Sequence, residues 1–151
     1  MHEADDAILE CIRSKLFAGV PAERIETVTT HISIVLLGGE TAVKLKRPVK
    51  RPYVDFSTPA LRLAACEREL DLNRRTAPQL YCAVRRIARA PGGGLVLDGG
   101  GELVDAAVEM RRFDGNGLFD RRAMEGTLTG PLMDRLARTI ASFHETITSE
   151  P

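Results

Sequence analysis

Lys44 lies in the β-prone run Thr41-Ala42-Val43-Lys44-Leu45-Lys46, and two glutamates follow some 25 residues later in the helix-prone run Cys66-Glu67-Arg68-Glu69. That arrangement can do chemistry. A strand lysine presents a compact point charge on a flexible stem, suited to phosphate oxygens, and a carboxylate from a neighbouring helix can hold it forward. Side chains alternate along a strand, so Ala42, Lys44 and Lys46 share one face while Val43 and Leu45 share the other. Ala42 beside the lysine leaves room for a flat base. On the residues alone either Glu67 or Glu69 can be the partner. The ordinary reading of an isolated lysine here is that Lys44 and Lys46 form the solvated face of an edge strand, and only context overturns it.

The elements that must position these groups are legible along the chain. Ile8, Leu9, Ile12 and Leu16 recur at helical spacing from Asp5 to Phe17, with Asp5 and Asp6 at the favourable end of the helix dipole. The run Ile25 to Leu37 is too long for one strand and ends in Gly38-Gly39, a hairpin signal, so it predicts two strands before the lysine strand. Pro48 and Pro52 stop that third strand. Thr58-Pro59 reads as an N-cap with proline at the first helical position, opening a helix to about Arg75. Two further β-prone runs, Leu80 to Ile87 and Leu103 to Met110, flank a glycine-rich loop that is expected to be mobile. Its glycines do not make a phosphate loop, because no Gly-Lys-Ser/Thr follows them. A turn over Asp114 to Gly117, a short helix near Leu118 to Met124 and a last helix from Pro131 to about Ile147 complete an α+β pattern.

Composition narrows the partners. The 151 residues suit one ordinary domain, and 44% hydrophobic content can build a core without staples. Lys plus Arg number 21 and Asp plus Glu number 21, so no overall field draws the chain to nucleic acid or an anionic membrane. No aromatic residues interleave with the basic ones, which further argues against a nucleic-acid binder. Three cysteines without a CxxC pair suit a reducing compartment. No apolar stretch approaches a membrane span, and a cytoplasmic location is expected. The histidines, at 2, 31 and 144, show no ligand spacing, so no metal is assigned to them. His31 reads as a loop histidine or a phosphate neighbour, and His144 as a packed helix histidine.

Together these runs resemble the N-terminal part of an aminoglycoside-phosphotransferase-like kinase, within the protein-kinase-like fold. The resemblance rests on Thr41-Ala42-Val43-Lys44, on Cys66-Glu67-Arg68-Glu69-Leu70-Asp71, on Met110-Arg111-Arg112-Phe113-Asp114-Gly115 and on Ser142-Phe143-His144-Glu145. Thr30-His31-Ile32-Ser33 and the run Leu72 to Pro78 look like a bacterial subgroup in which this kinase domain is often fused to a P-loop ATPase domain. The resemblance implies a small lobe of five antiparallel strands plus a helix over residues 1–110, then a hinge and the first large-lobe helices over 111–151. It implies that Lys44 contacts ATP phosphates with Glu69 as its partner, Glu69 holding the second acidic position of the Glu-x-Glu pattern. Helical geometry adds that Glu69 shares a face with Ala65 and Leu72. Met110 would back the adenine pocket beside Ala42, and the backbones of Arg111 and Phe113 would meet the adenine edge. Thr30 and Ser33 fall where a nucleotide-positioning loop lies, although no glycine-rich sequence stands there.

Phosphoryl transfer also needs an aspartate to orient the acceptor hydroxyl, and an asparagine and second aspartate for magnesium. In the resembled family these follow the helix that ends near His144, and none is present in this span. The expectation is therefore an ATP-binding lobe of a small-molecule O-phosphotransferase, truncated before the catalytic loop and not competent alone, with magnesium expected only in a complete relative. The acceptor would be a hydroxyl-bearing small molecule. The stripe Leu132, Leu136, Ile140, Phe143 and Ile147 should then be partly exposed and favour self-association. The alternative is a non-catalytic module that keeps the lobe's fold and binds a protein partner through the basic segment Lys44 to Arg51 or through the last helix.

Overall fold

The computed structural model describes residues 3–147. The order is α1 (Glu3–Leu16), β1 (Glu26–Thr29), β2 (Ser33–Gly38), β3 (Thr41–Lys46), β4 (Lys50–Arg51), β5 (Val54–Asp55), α2 (Pro59–Arg74), β6 (Tyr81–Arg89), β7 (Leu95–Leu97), β8 (Glu102–Arg111), α3 (Phe119–Met124) and α4 (Gly130–Thr146). Single 3-10 turns stand at Ala22–Arg24 and Gly115–Gly117. The chain divides into two compact units, one ending at Arg112 and the other beginning at Phe113.

The first unit is an α+β structure around a six-stranded antiparallel sheet in the order β1-β2-β3-β8-β6-β7. The five-stranded expectation is corrected by one strand. Leu95 to Leu97 sit between two glycine triplets, and the punctuation hid a short run that pairs with Ile87 to Arg89. The glycine-rich segment thus carries a β-hairpin arm. A separate two-stranded ribbon, β4 and β5, occupies the segment after Pro48.

Alternation along β3 sorts its side chains between two helices. Val43 and Leu45 point into a core with Ile8, Leu9, Ile12 and Phe17 of the α1 region, together with Leu36, Ile87 and Ala107. The opposite face meets α2 through Cys66, Ala106 and Val108, with Leu63, Tyr81, Val84 and Met110 packed around them. The sheet is thus covered on both faces. β3 is a central strand between β2 and β8, so the edge-strand reading of its lysines is overturned.

Register decides which face each lysine takes. β2 and β3 join through a two-residue loop, Gly38 opposing Thr41, and Gly39 adopts φ +53°, a conformation that costs glycine little. A slip of one residue would turn Lys44 and Lys46 towards the α1 core. At Gly38 an added Cβ would lie 2.7 Å from the Phe17 ring, so the hairpin end is seated directly against the core.

Helix α2 begins as its sequence predicts. The Thr58 side chain accepts from the Leu61 N–H at 3.3 Å, and Pro59 occupies the first turn. Its sheet-facing stripe is polar at many positions: Arg62, Cys66, Glu69 and Asn73 recur at spacings of four and three. Leu72 is 53% exposed, while Glu69 lies in the inward stripe with Arg62, Cys66 and Asn73.

In the second unit, α3 and α4 match the predicted helices closely. Among its described residues none is fully buried; Leu132, Leu136, Phe143 and Ile147 are half-buried and Ile140 is 45% exposed. His144 is exposed beside the Phe143 ring, contrary to the expected packed histidine. The side chain of Asp5, and His2, lie outside the described residues.

Candidate functional site

On the α2 face of the sheet, two lysines converge on one carboxylate. Lys44 Nζ lies 3.0 Å from Glu69 Oε1, and Lys46 Nζ donates to Glu69 Oε2. Two residues apart on β3, the lysines are about 6.6 Å apart along the strand, and Glu69 bridges them. Their exposures differ: 31% for the Lys44 side chain against 9% for Lys46 and 12% for Glu69. The Lys46 ammonium also stands 5.7 Å from the centre of the Phe56 ring, a cation–π contact on its buried side. Glu67 is exposed, which settles the choice between the two glutamates geometrically. Lys46 is buried, whereas further along the basic run Lys50 pairs with Asp55 at 2.8 Å across the β4–β5 ribbon.

Burial alone would raise the Glu69 carboxyl, but hydrogen bonds and charge from Lys46 and Lys44 outweigh it and hold the group below its ordinary range. The carboxylate is ionised at neutral pH. Two cations against one anion leave a single positive charge in excess.

Glu69 reaches β3 because α2 is anchored elsewhere. Two turns earlier Arg62 is clamped to the sheet, its Nε donating to Asp105 at 2.8 Å, Nη1 to the Phe56 carbonyl and Nη2 to the Val104 carbonyl, both at 3.1 Å. Both members of the ion pair are 7% exposed. Cys66 lies between the clamp and the glutamate and directs its thiol at the Ala106 carbonyl; burial pushes the thiol up to about 12. Asn73 then donates to the Glu69 carbonyl at 2.8 Å.

Ala42, buried beneath the sheet's α2 face, lies opposite Met110, and Met110 lies opposite Tyr81. Paired residues share a face, so Ala42, Met110 and Tyr81 form a row next to the one holding Lys44. Burial first, and then the Glu69 charge, raise the Tyr81 phenol. Tyr81, the Arg62–Asp105 clamp and the contact of Lys46 with Glu69 escaped the sequence reading. Lys46 carried a signal, being on the same strand face as Lys44; Arg62 carried none, because its partner is 43 residues away.

At the other end of β3, Ser33 pairs with Lys46. Its hydroxyl and that of Thr30 are 2.9 Å apart, the Ser33 N–H donates to Thr30 Oγ1 at 3.0 Å, and Arg47 donates to the Thr30 carbonyl at 2.9 Å. These groups tie the β1–β2 turn to the end of β3. His31 is exposed in the same turn.

The Arg111 N–H donates to the Leu80 carbonyl at 2.8 Å, whereas the Leu80 N–H goes to Ala77 at 3.0 Å. Phe113, 55% exposed, opens the second unit. Among the described residues no cluster of three or more His, Cys, Asp or Glu side chains is arranged to hold a metal ion, and no helix is long and apolar enough to cross a membrane.

No protein-family model matches the sequence, and no solved structure matches it. Similar proteins include Uncharacterized protein Rv2004c of Mycobacterium tuberculosis and Uncharacterized protein Mb2027c of Mycobacterium bovis, each 31% identical over 121 residues. The match takes in 80% of this chain, which spans 22% of the length of each relative.

Proposed function

We propose that the chain is the ATP-binding lobe of a small-molecule O-phosphotransferase of the aminoglycoside-phosphotransferase-like kind, within the protein-kinase-like fold. The observation that carries the reading is the Lys44–Glu69 ion pair between a central strand and the helix that follows it. Such a pair is what kinases use to present a lysine to nucleotide phosphates. Three further features agree with it: Ala42 beside the lysine, Met110 across from Ala42, and the strand of Met110 running straight into the Arg111–Phe113 segment.

The groups present fit an anionic nucleotide. One excess positive charge at the lysine pair suits phosphate oxygens, and Ala42 is a small residue on the same strand face. ATP supplies the transferable phosphoryl group; Lys44 would hold its phosphates, while Ala42 and Met110 would flank the base and the Arg111 carbonyl would accept from its edge. Thr30 and Ser33 would act by shaping the turn at the far end of β3.

Isothermal titration with ATP tests the reading. Wild-type protein should bind ATP, and Lys44→Ala should lower the affinity about tenfold or more, the loss of one charge-assisted contact. Equal heats for the two proteins would remove Lys44 from the site, and no ATP binding by wild type would end the proposal.

A further inference from the structure

The β1–β2 turn lies where the resemblance expects a nucleotide-positioning loop, yet no glycine occurs from Glu26 to Leu37 and the turn is closed on itself. The Thr30 N–H donates to the Ser33 carbonyl at 2.8 Å, and the Ile32 and Ser33 N–H groups donate to Thr30 Oγ1 at 3.4 and 3.0 Å. The two hydroxyls are spent on each other at 2.9 Å. Of the amides in Thr30–Ser33, only that of His31 stands outside these bonds. Lys46 is paired with Ser33 at the end of this turn, and it shares Glu69 with Lys44. We infer that Lys46 takes the place of the missing loop donors: it offsets the charge of Glu69, so that the closed Lys44–Glu69 pair meets a polyphosphate as a net cation.

This role rests on the ATP-lobe reading above and deepens it. Glycine-rich loops cradle phosphates with backbone N–H groups, and a turn whose amides are already bonded has few to give. The attraction must then come from side chains. Lys44 spends one of its three ammonium hydrogens on Glu69 and keeps the others for phosphate oxygens, so the pair stays closed when ligand is bound. By themselves, however, Lys44 and Glu69 sum to zero charge. Lys46 raises the sum to one positive charge without competing for the ligand, because its side chain is 9% exposed against 31% for Lys44 and is backed by the Phe56 ring. It also holds the second oxygen of Glu69 while the first stays on Lys44. About 6.6 Å from Lys44 along the strand, it acts on a phosphate through protein rather than water, where one unit charge is worth about a tenfold change in affinity. Lys46 is in this sense a positioning residue that never touches the ligand.

Isothermal titration of wild type and Lys46→Met with ATP, tripolyphosphate and adenosine tests this, the variant first shown to be folded by cooperative thermal unfolding. Lys46→Met should bind ATP and tripolyphosphate about tenfold more weakly, and adenosine within about threefold of wild type. A merely structural Lys46 would weaken all three alike. A second measurement leaves Lys46 unaltered: in 15N-labelled wild type, tripolyphosphate should move the Nζ resonance assigned to Lys44 through Lys44→Arg and leave the Thr30, Ile32 and Ser33 amide resonances in place. Wild-type-like tripolyphosphate binding by Lys46→Met, an equal loss for adenosine, or downfield movement of those three amides would overturn the inference with the ATP reading intact. Failure of wild type to bind ATP would overturn both.

Discussion

The chemistry of the site comes down to a carboxylate with two amines. Glu69 is mostly buried, and removing it strands two cations beside the α2 face. Glu69→Ala should therefore cost about 3 kcal/mol of stability, measured by urea unfolding. Its acid response has a definite sign. The folded carboxyl titrates below its ordinary value of 4.5, so its contribution is complete above that pH and is lost as the pH falls through the folded value. The stability difference between wild type and Glu69→Gln should accordingly be constant near neutrality and shrink below about pH 4.5; a difference that grew on acidification would contradict the ion pairing. The three thiols provide a separate check on packing. Cys66, held up to about 12 by burial, and the buried Cys11 should resist alkylation at pH 8 until the protein unfolds, while the exposed Cys82 reacts first. Mass spectrometry of the timed reaction would show one fast site and two slow ones.

At the scale of elements, the decisive part is helix α2. It carries few apolar residues on its inner face, and its position is set by the Arg62 guanidinium, which meets Asp105 and two carbonyls. Breaking a fully paired buried ion pair from one side leaves the other charge uncompensated, at about 3–5 kcal/mol. Arg62→Ala should fall in that range by chemical denaturation, and among molecules that remain folded it should also weaken ATP binding, because Glu69 lies two turns further along the same face. The Thr58 cap is a milder handle. Thr58→Ala should cost about 1 kcal/mol and leave ligand affinity nearly unchanged, since the clamp still holds the helix.

For the whole molecule, the distribution of buried side chains matters more than length. Both core clusters lie between Ile8 and Met110, whereas no described side chain after Arg112 is fully buried. A chain ending at Arg112 should therefore unfold as one cooperative transition by circular dichroism and calorimetry. The reciprocal piece, beginning at Phe113, should show no cooperative melt, because α3 and α4 have too little buried apolar surface to offset chain entropy.

What the amino-acid order determined by itself was local. The hairpin at Gly38-Gly39, the alternation that puts Ala42, Lys44 and Lys46 on one face, the Thr58-Pro59 helix start and the last helix all follow from periodicity and turn chemistry within a few residues. The class, α+β, followed from their order, and the Lys44–Glu69 pair was reached through a family resemblance that the geometry then met at 3.0 Å. Tertiary structure decided the rest. Lys46 becomes buried only because β8 pairs on the far side of β3 and α2 covers the sheet, and Leu72 is exposed because a polar stripe, not an apolar one, faces inward. Short β7 becomes a strand because Ile87 to Arg89 supply its partner. Arg62 finds Asp105 across 43 residues of chain. Such contacts depend on which distant residues share a layer, and local spacing carries no term for that.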